Sequence, residues 1–271
     1  MSISISVIVT TYNRPLALDC VLDSLASQSI LPKEIIIADD GSGPETASLI
    51  KSWQLCMPCT LKHVWQPDEG FRAAGVRNLA VSASSGNYLI FLDGDCLVFN
   101  DFIKNHAALS EPSWMVIGSR ILCNASLTKE IESRKKKPLK WSLLEWIHSS
   151  SMKEVNRIFP LIRLPNIPFR KLRSLRWKGV RTFNLGLWRK DFIEVNGFDE
   201  SFQGWGHEDA DLAVRLLKIG VKRKDGQFAL PVLHLWHQES SRVNEAENLR
   251  RLLLRIDGTQ TKASTGLNQY L

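Results

Sequence analysis

The 271-residue chain has no run approaching the ~18 consecutive apolar residues of a membrane-spanning helix. Its start, MSISISVIVTTYNRP, lacks the basic region and cleavage pattern of a secretory leader. These absences predict a cytoplasmic protein. Cysteine is scarce: Cys20, Cys56, Cys59, Cys96 and Cys123 are an odd number for a disulfide framework, in a chain too large to need one. LCMPCT holds a C-x-x-C without the second half of a zinc site, so ordinary thiols in a loop are expected. A glycine-rich basic loop is also missing after the first apolar run, where TTYNRP stands instead. That argues against a nucleotidyltransferase. What is present is 44% hydrophobic content, enough for one large domain or two coupled lobes, and enough to exclude disorder of the whole chain.

The net charge of +7 is unevenly placed. Between Lys129 and Arg181 stand 15 basic and 4 acidic side chains, so the rest of the chain is slightly acidic. In SRKKKPLKW and FRKLRSLRWKGVR, and around them, Trp141, Trp146, Leu172, Leu175 and Trp177 interleave with Lys and Arg. Such a stretch suits anionic lipid, the phosphates of a nucleic acid or lipid-linked glycan, or plain solvation as a basic loop.

Two periodicities alternate through the first hundred residues. SISVIVTTY reads as a strand and PLALDCVLDSLASQ as a helix behind Pro15; KEIIIADDGS and PETASLIKSWQ repeat the pair. LKHVWQ, GFRAAGVRNLAVSAS and NYLIFLDGD add strand, helix, strand. This rhythm predicts an α/β fold with a mostly parallel central sheet flanked by helices, whose ligands bind beyond the carboxyl ends of the strands. Polar residues collect there: Thr10 to Arg14, Asp39 and Asp40, Gln66 and Asp68, and Asp93 to Asp95.

Asp93 and Asp95, one residue apart where a strand stops, cannot both be core groups, since burying an ionised pair costs several kcal/mol per charge. A divalent cation, Mg²⁺ or Mn²⁺, shared with substrate phosphates is the arrangement their chemistry suits. Gly94 between them lets the backbone turn and approach a ligand.

Later, SWMVIGSRI reads as one strand. Glu208, Asp209 and Asp211 open a helix that Gly220 stops, and acids in a first turn complement the helix dipole. The preceding GWGHED places an aromatic face beside carboxylates, as a sugar site would. FALPVLHLWHQES reads as a strand in which His234 and His237 point to opposite faces, so one of them at most shares a ligand site. The last stretch, NLRRLLLRIDGTQTKASTGLNQYL, reads as a short helix and a frayed tail.

The motifs VIVTTYNRP, IIIADDGS, GFRAAGVRNLAV, FLDGDC, NLGLWRKDFIEVNGFDE and GWGHEDADLAVRL jointly resemble GT-A-fold, inverting, family 2-type nucleotide-sugar glycosyltransferases, over about residues 3–110 and 180–240. The last resembles the corresponding segment of β-1,4-galactosyltransferases and chondroitin-polymerase-like enzymes. The resemblance implies a UDP-sugar donor bound by residues 1–110, an acceptor half over 111–240 with a basic insertion about 127–181, and a C-terminal helix and tail over 241–271. It implies nucleotide contacts from Thr10, Tyr12, Arg14, Gln66 and Asp39 or Asp40, the last accepting from the uracil N3–H. Arg72, Arg77 and Asn78 would meet the diphosphate or donor sugar, and Asp93 the ribose or sugar. Asp95 would hold the metal with Asp93 beside it, completed by His237 or His234. Asp209 would be the general base, Glu208 an acceptor or sugar ligand, and Trp205 with Gly206 the stacking face. His207 departs from the galactosyltransferase pattern, which favours a small residue there.

The expected reaction is transfer of a hexose or N-acetylhexosamine, first galactose or N-acetylgalactosamine, to a glycan or lipid-linked saccharide in surface polysaccharide or lipopolysaccharide synthesis. A peripheral position at the inner face of the plasma membrane follows through residues 129–181, with no nucleic acid expected. The alternative is a non-enzymatic basic protein that binds membrane or nucleic acid on a degenerate transferase fold.

Overall fold

The structure, a computed structural model, describes residues 3–238 and 242–271. Its first half follows the predicted alternation: β1 (Ile5–Thr11), α1 (Pro15–Ala26), β2 (Glu34–Asp39), α2 (Pro44–Gln54), β3 (Thr60–Trp65), α3 (Ala73–Ser82) and β4 (Tyr88–Asp93). Pro15 and Pro44 sit in the first turns of their helices, where the missing N–H costs nothing. β2 is buried along its whole length, because both faces of the sheet are covered. Val7, Val9, Ile35, Ile37 and Ile90 face the core that holds α1. Ile8, Ile36 and Phe91, one residue out of phase, face the core on the other side.

The second half comprises β5 (Cys96–Val98), α4 (Phe102–Leu109), β6 (Trp114–Ile117), β7 (Ser119–Leu122), α5 (Ala125–Glu132), α6 (Leu143–Ser151), β8 (Asn184–Trp188), α7 (Arg189–Glu194), α8 (Glu208–Lys218), β9 (Lys222–Asp225), β10 (Pro231–His234) and α9 (Glu245–Asp257). The large sheet runs β3-β2-β1-β4-β8-β6-β9, and a small sheet runs β5-β10-β7. β1 to β4 are mutually parallel where paired, whereas β8 lies antiparallel to both β4 and β6. Register puts Thr11 beside Asp39 and Thr10 beside Asp93, so the polar strand ends form one rim.

Three sequence expectations change here. SWMVIGSRI is two strands in two sheets, broken at Gly118, where a Cβ would overlap the Asn184 side-chain amide. The strand in FALPVLHLWHQES ends at His234, after which Leu235 donates its N–H to the Asp95 carbonyl (2.9 Å) and the chain turns; Glu239 and Ser240 lie outside the described residues. The C-terminal tail is docked rather than frayed: Ala263 and Leu267 are buried, and their N–H groups bond Val195 and Asn196 carbonyls at 2.9 and 3.0 Å.

The basic stretch is not a simple solvated loop either. Trp146 is buried, and Trp141 and Trp177 pack against the cores. Arg170 is buried with its guanidinium on the carbonyls of Leu164, Pro165, Asp225 and Gln227. Leu172 and Leu175, by contrast, are exposed.

A buried ion network fastens α8 to α9 and the tail. Asp211 holds Arg215 at 2.7 Å and Arg255 at 2.8 Å, and Arg255 also meets Asp199 at 2.6 Å. The first-turn acid Asp211 is therefore structural, unlike its neighbours Glu208 and Asp209. Removing one member of such a network strands the others without water. Asp211→Ala should lower the free energy of unfolding by about 3–5 kcal/mol in urea denaturation; a loss below about 1 kcal/mol would contradict the network's role.

Candidate active site

Arg77, on α3, sits almost fully buried at the centre of the rim. Its Nε donates to Thr10 Oγ1 at 3.0 Å, its Nη1 to Glu208 at 3.2 Å, and its Nη2 lies 3.5 Å from Asp93. The guanidinium thus joins the D-x-D turn to the start of α8. Asp93, beside Asp95 and Glu208, has its carboxyl pKa raised to about 6, chiefly by desolvation, with Arg77 opposing the rise. Gly94 is required for packing at this turn: its N–H bonds the Thr10 carbonyl at 2.7 Å, and a Cβ would lie 2.8 Å from that oxygen. The close approach is to the protein's own backbone.

Asp95 lies across the small sheet from both histidines. His234 Nε2 is 3.6 Å from Asp95 Oδ1 and His237 Nε2 is 3.5 Å from Oδ2. One ligand atom from each of the three residues fits within 4.8 Å of the others, a spacing that one cation can bridge. The expectation that the two histidines diverge fails, because the strand ends at His234 and the turn returns His237 to the same side. Burial lowers the His234 pKa, which keeps its imidazole neutral as a ligand must be. Asp93 is not among these three, being turned to Arg77. Two imidazoles and a carboxylate favour Mn²⁺ or a later transition ion over Mg²⁺, which prefers oxygen alone. Arg14, the residue before α1, donates to Asp95 at 2.8 Å and to the Trp236 carbonyl at 3.2 Å. It bridges the two segments that carry the ligands, and Glu132 at 3.3 Å braces it.

The remaining predicted donor residues divide. Asp39 is fully buried, with Ser42 N–H on one oxygen at 2.8 Å and His63 against the other at 2.9 Å. Asp40 accepts from Gln66 at 2.5 Å and from the Arg72 N–H at 2.9 Å; its pKa is raised, chiefly by burial. Tyr12 is half exposed, its hydroxyl donating to Asp68 at 2.8 Å across the rim. Arg72 pairs with Glu69 at 2.8 Å at the foot of α3. Asn78 takes another part than the one expected. It is fully buried and bonds Phe198 through both N–H and carbonyl, and Glu200, all at 2.9 Å, so its amide is spent on the GFDE turn.

On the opposite wall, Gly204, Gly206 and His207 all have positive φ and turn the GWG loop into α8. His207 itself, at φ 74°, occupies a conformation that suits glycine, which explains why a small residue fits better there. The turn delivers Glu208 and Asp209 into the site. Asp209 is buried and its carboxyl is pushed up to about 7, first by desolvation and then by Glu208, while Arg181, 3.3 Å away, pulls it down. The Arg242 guanidinium carbon lies over the Trp205 ring, 4.8 Å from its centre. Arg181 and Arg120, whose charges act on Asp209 and on Asp93 respectively, escaped sequence reading. Neither sits in a motif, and both come from the second half of the chain.

The glycosyl transferase family 2 model matches residues 6–172, continuing through much of the basic stretch, and the model described as the N-terminal domain of galactosyltransferase matches residues 170–238. Validoxylamine A glucosyltransferase of Streptomyces hygroscopicus subsp. limoneus is 32% identical over 232 residues, covering 80% of this chain and 48% of that protein. Chondroitin synthase of Escherichia coli is 26% identical over 251 residues, covering 87% and 34%. The chain thus spans about half the length, or less, of these relatives. Among solved structures, GalNAc-T7 with UDP, GalNAc and Mn²⁺ superposes with a TM-score of 0.64 at 17% identity, covering 93% of this chain and 47% of that one. Mannosyltransferase PcManGT from Pyrobaculum calidifontis, in complex with GDP-Man and Mn²⁺, gives 0.60 at 16%, covering 94% and 63%. With a rim of strand ends, two clustered sets of acids and a family model over more than half its length, the chain belongs to glycosyl transferase family 2 and has the GT-A fold.

Proposed function

We propose that the protein is a metal-dependent, inverting transferase that moves a hexose or N-acetylhexosamine from a UDP-sugar to a saccharide hydroxyl. Galactose and N-acetylgalactosamine come first because residues 170–238 match the galactosyltransferase-type segment. The observation that carries the reading is the placement of Asp95, His234 and His237 on one side of Arg77 and of Glu208 and Asp209 on the other. One set suits a diphosphate with its cation, the other an acceptor hydroxyl.

In this reading the nucleotide lies over the ends of β1 to β3. Thr10, Tyr12, Asp40 and Gln66 face it, with Asp39 fully buried behind them on Ser42 and His63. Arg72 and Arg77 offer charge to the diphosphate, and Asp93 a carboxylate to ribose or sugar. Asp95, His234 and His237 would hold a divalent cation, Mn²⁺ before Mg²⁺, which would offset the charge growing on the leaving diphosphate. Arg14 orients Asp95 for that task. Trp205, beside Gly206, gives the acceptor sugar an apolar face, and Glu208 accepts from a hydroxyl.

Asp209 then takes the acceptor proton as its oxygen attacks C1 and the bond from C1 to the diphosphate breaks. A carboxyl whose pKa is raised to about 7 is suited to this, because it binds a proton more strongly than an ordinary carboxylate while a share of it stays ionised near neutrality. One base and no covalent nucleophile give inversion. The acceptor is a glycan or lipid-linked saccharide, as in surface polysaccharide or lipopolysaccharide assembly.

Purified protein incubated with a panel of UDP-sugars should release UDP from one donor with Mn²⁺, and release should vanish with EDTA and in Asp95→Ala. Absence of both UDP release and UDP binding for every donor would overturn the reading. Asp209→Asn should keep donor binding and slow transfer about 10²–10⁴-fold. The same carboxyl sets a stability trend. Its folded pKa stands above the ordinary 3.8, so the folded chain holds an extra proton between about 4 and 7, and its contribution to stability falls as pH rises through that window. Asp209→Asn should therefore be more stable than the parent above pH ~7, with the advantage shrinking toward pH ~4; urea unfolding at both ends of the window tests this, and a pH-independent difference would contradict it.

A further inference from the structure

Helix α6 is apolar on two faces. Trp146, on one, is buried and stacks edge-on against Trp141, ring centres 5.2 Å apart. Leu143, Leu144 and Ile147, on the other, are 65%, 77% and 46% exposed, and Met152, which follows the helix, is 62% exposed. The helix is firmly built for its nine residues: Ser142 and Glu145 form a reciprocal capping box at its start. The inward tryptophan fixes its rotation, so the leucines are held facing out.

Unpaired cations outnumber unpaired acids around this face. Lys135, Lys137 and Lys140 precede the helix and Lys153 follows it; all are exposed, and none has an ion pair among the described residues. Most acids nearby are paired. Glu130 and Glu154 both meet Lys136, at 2.9 and 2.8 Å, and Glu132 meets Arg14. Glu145 keeps its charge, bonded only to Ser142, against the four exposed lysines, so the surroundings of the apolar face are positive on balance.

We propose that the outward face of α6, Leu143, Leu144 and Ile147 with Met152 and the flanking lysines, is a docking surface for an anionic lipid bilayer. Apolar side chains entering the headgroup boundary with lysines at the phosphates is how an interfacial helix binds. A second copy of the chain is the poorer occupant, since it would bring the same lysines against themselves. The tryptophans that made this stretch look lipid-seeking in sequence are the part that points inward. A bilayer contact suits a lipid-linked acceptor, although the surface itself does not depend on the proposed reaction.

The test is co-sedimentation of the full chain with phosphatidylglycerol-containing and with pure phosphatidylcholine vesicles. The protein should bind the former, more weakly as salt rises, and not the latter. Leu143→Ser/Leu144→Ser/Ile147→Ser and, separately, Lys137→Glu/Lys140→Glu should each weaken binding by at least about tenfold, with unchanged circular dichroism and, where the parent releases UDP from a donor, unchanged release. Failure of the parent to bind anionic vesicles, or binding of both variants at parental strength, overturns the proposal. So does gel filtration showing a parental dimer that the serine variant splits, which would assign the face to a second copy. Vesicle binding with neither UDP release nor UDP binding for any donor would leave this surface standing and remove the donor reading, so the two fail separately.

Discussion

One buried guanidinium makes the site possible. Asp93, Asp95, Glu208 and Asp209 are brought to one rim by elements far apart in sequence, and so much negative charge would force the walls apart or take up protons. Arg77 lies between the two sets, on Thr10, Asp93 and Glu208 at once, with Phe198 packed against its plane at 5.4 Å. Arg181 and Arg14 serve the outer flanks, on Asp209 and Asp95. Even so, burial keeps the carboxyl pKa values of Asp93 and Asp209 raised, with the neighbouring acids adding to it.

The fold supplies that arrangement by joining two kinds of strand end. The parallel half sets Thr10, Asp40 and Asp93 along one edge, as crossover connections dictate. The small sheet then adds what a parallel sheet alone lacks. β10 runs between β5 and β7 and stops at His234, so its histidines come up against Asp95 from across the D-x-D turn. Behind α8, Asp211, Arg215, Arg255 and Asp199 hold the helix whose first turn carries Glu208 and Asp209. Chain after residue 241 is thereby part of the framework of the site.

Local pattern carried the sequence reading a long way through the elements up to β4, after which β5 and α4 were not foreseen. Alternating periods, prolines at helix starts and acids at strand ends are short-range signals, and the elements fell where those signals put them. The D-x-D turn and the GWGHED helix start were legible for the same reason. Long-range pairing was not. β8 lies antiparallel between β4 and β6, and nothing within NLGLW announces that. Asp39 and Asn78 stand in the same motifs as Asp40 and Arg77, yet both are fully buried, against His63 and the Phe198 turn. His234 and His237 share one side only because the strand stops between them. The basic stretch misled by composition, which records that tryptophan and lysine alternate and not which of them packs.

The central claim is that Arg77 holds the two acidic walls together, and the stability of Arg77→Met at two pH values tests it most directly. At pH ~8, where the exposed and buried carboxylates are ionised, the variant should lose about 3–5 kcal/mol of unfolding free energy in urea. At pH ~5, where Asp93 and Asp209 hold protons, the loss should be clearly smaller. An equal loss at both pH values would make Arg77 an ordinary packing residue, and no loss at either would remove it from the centre of the account.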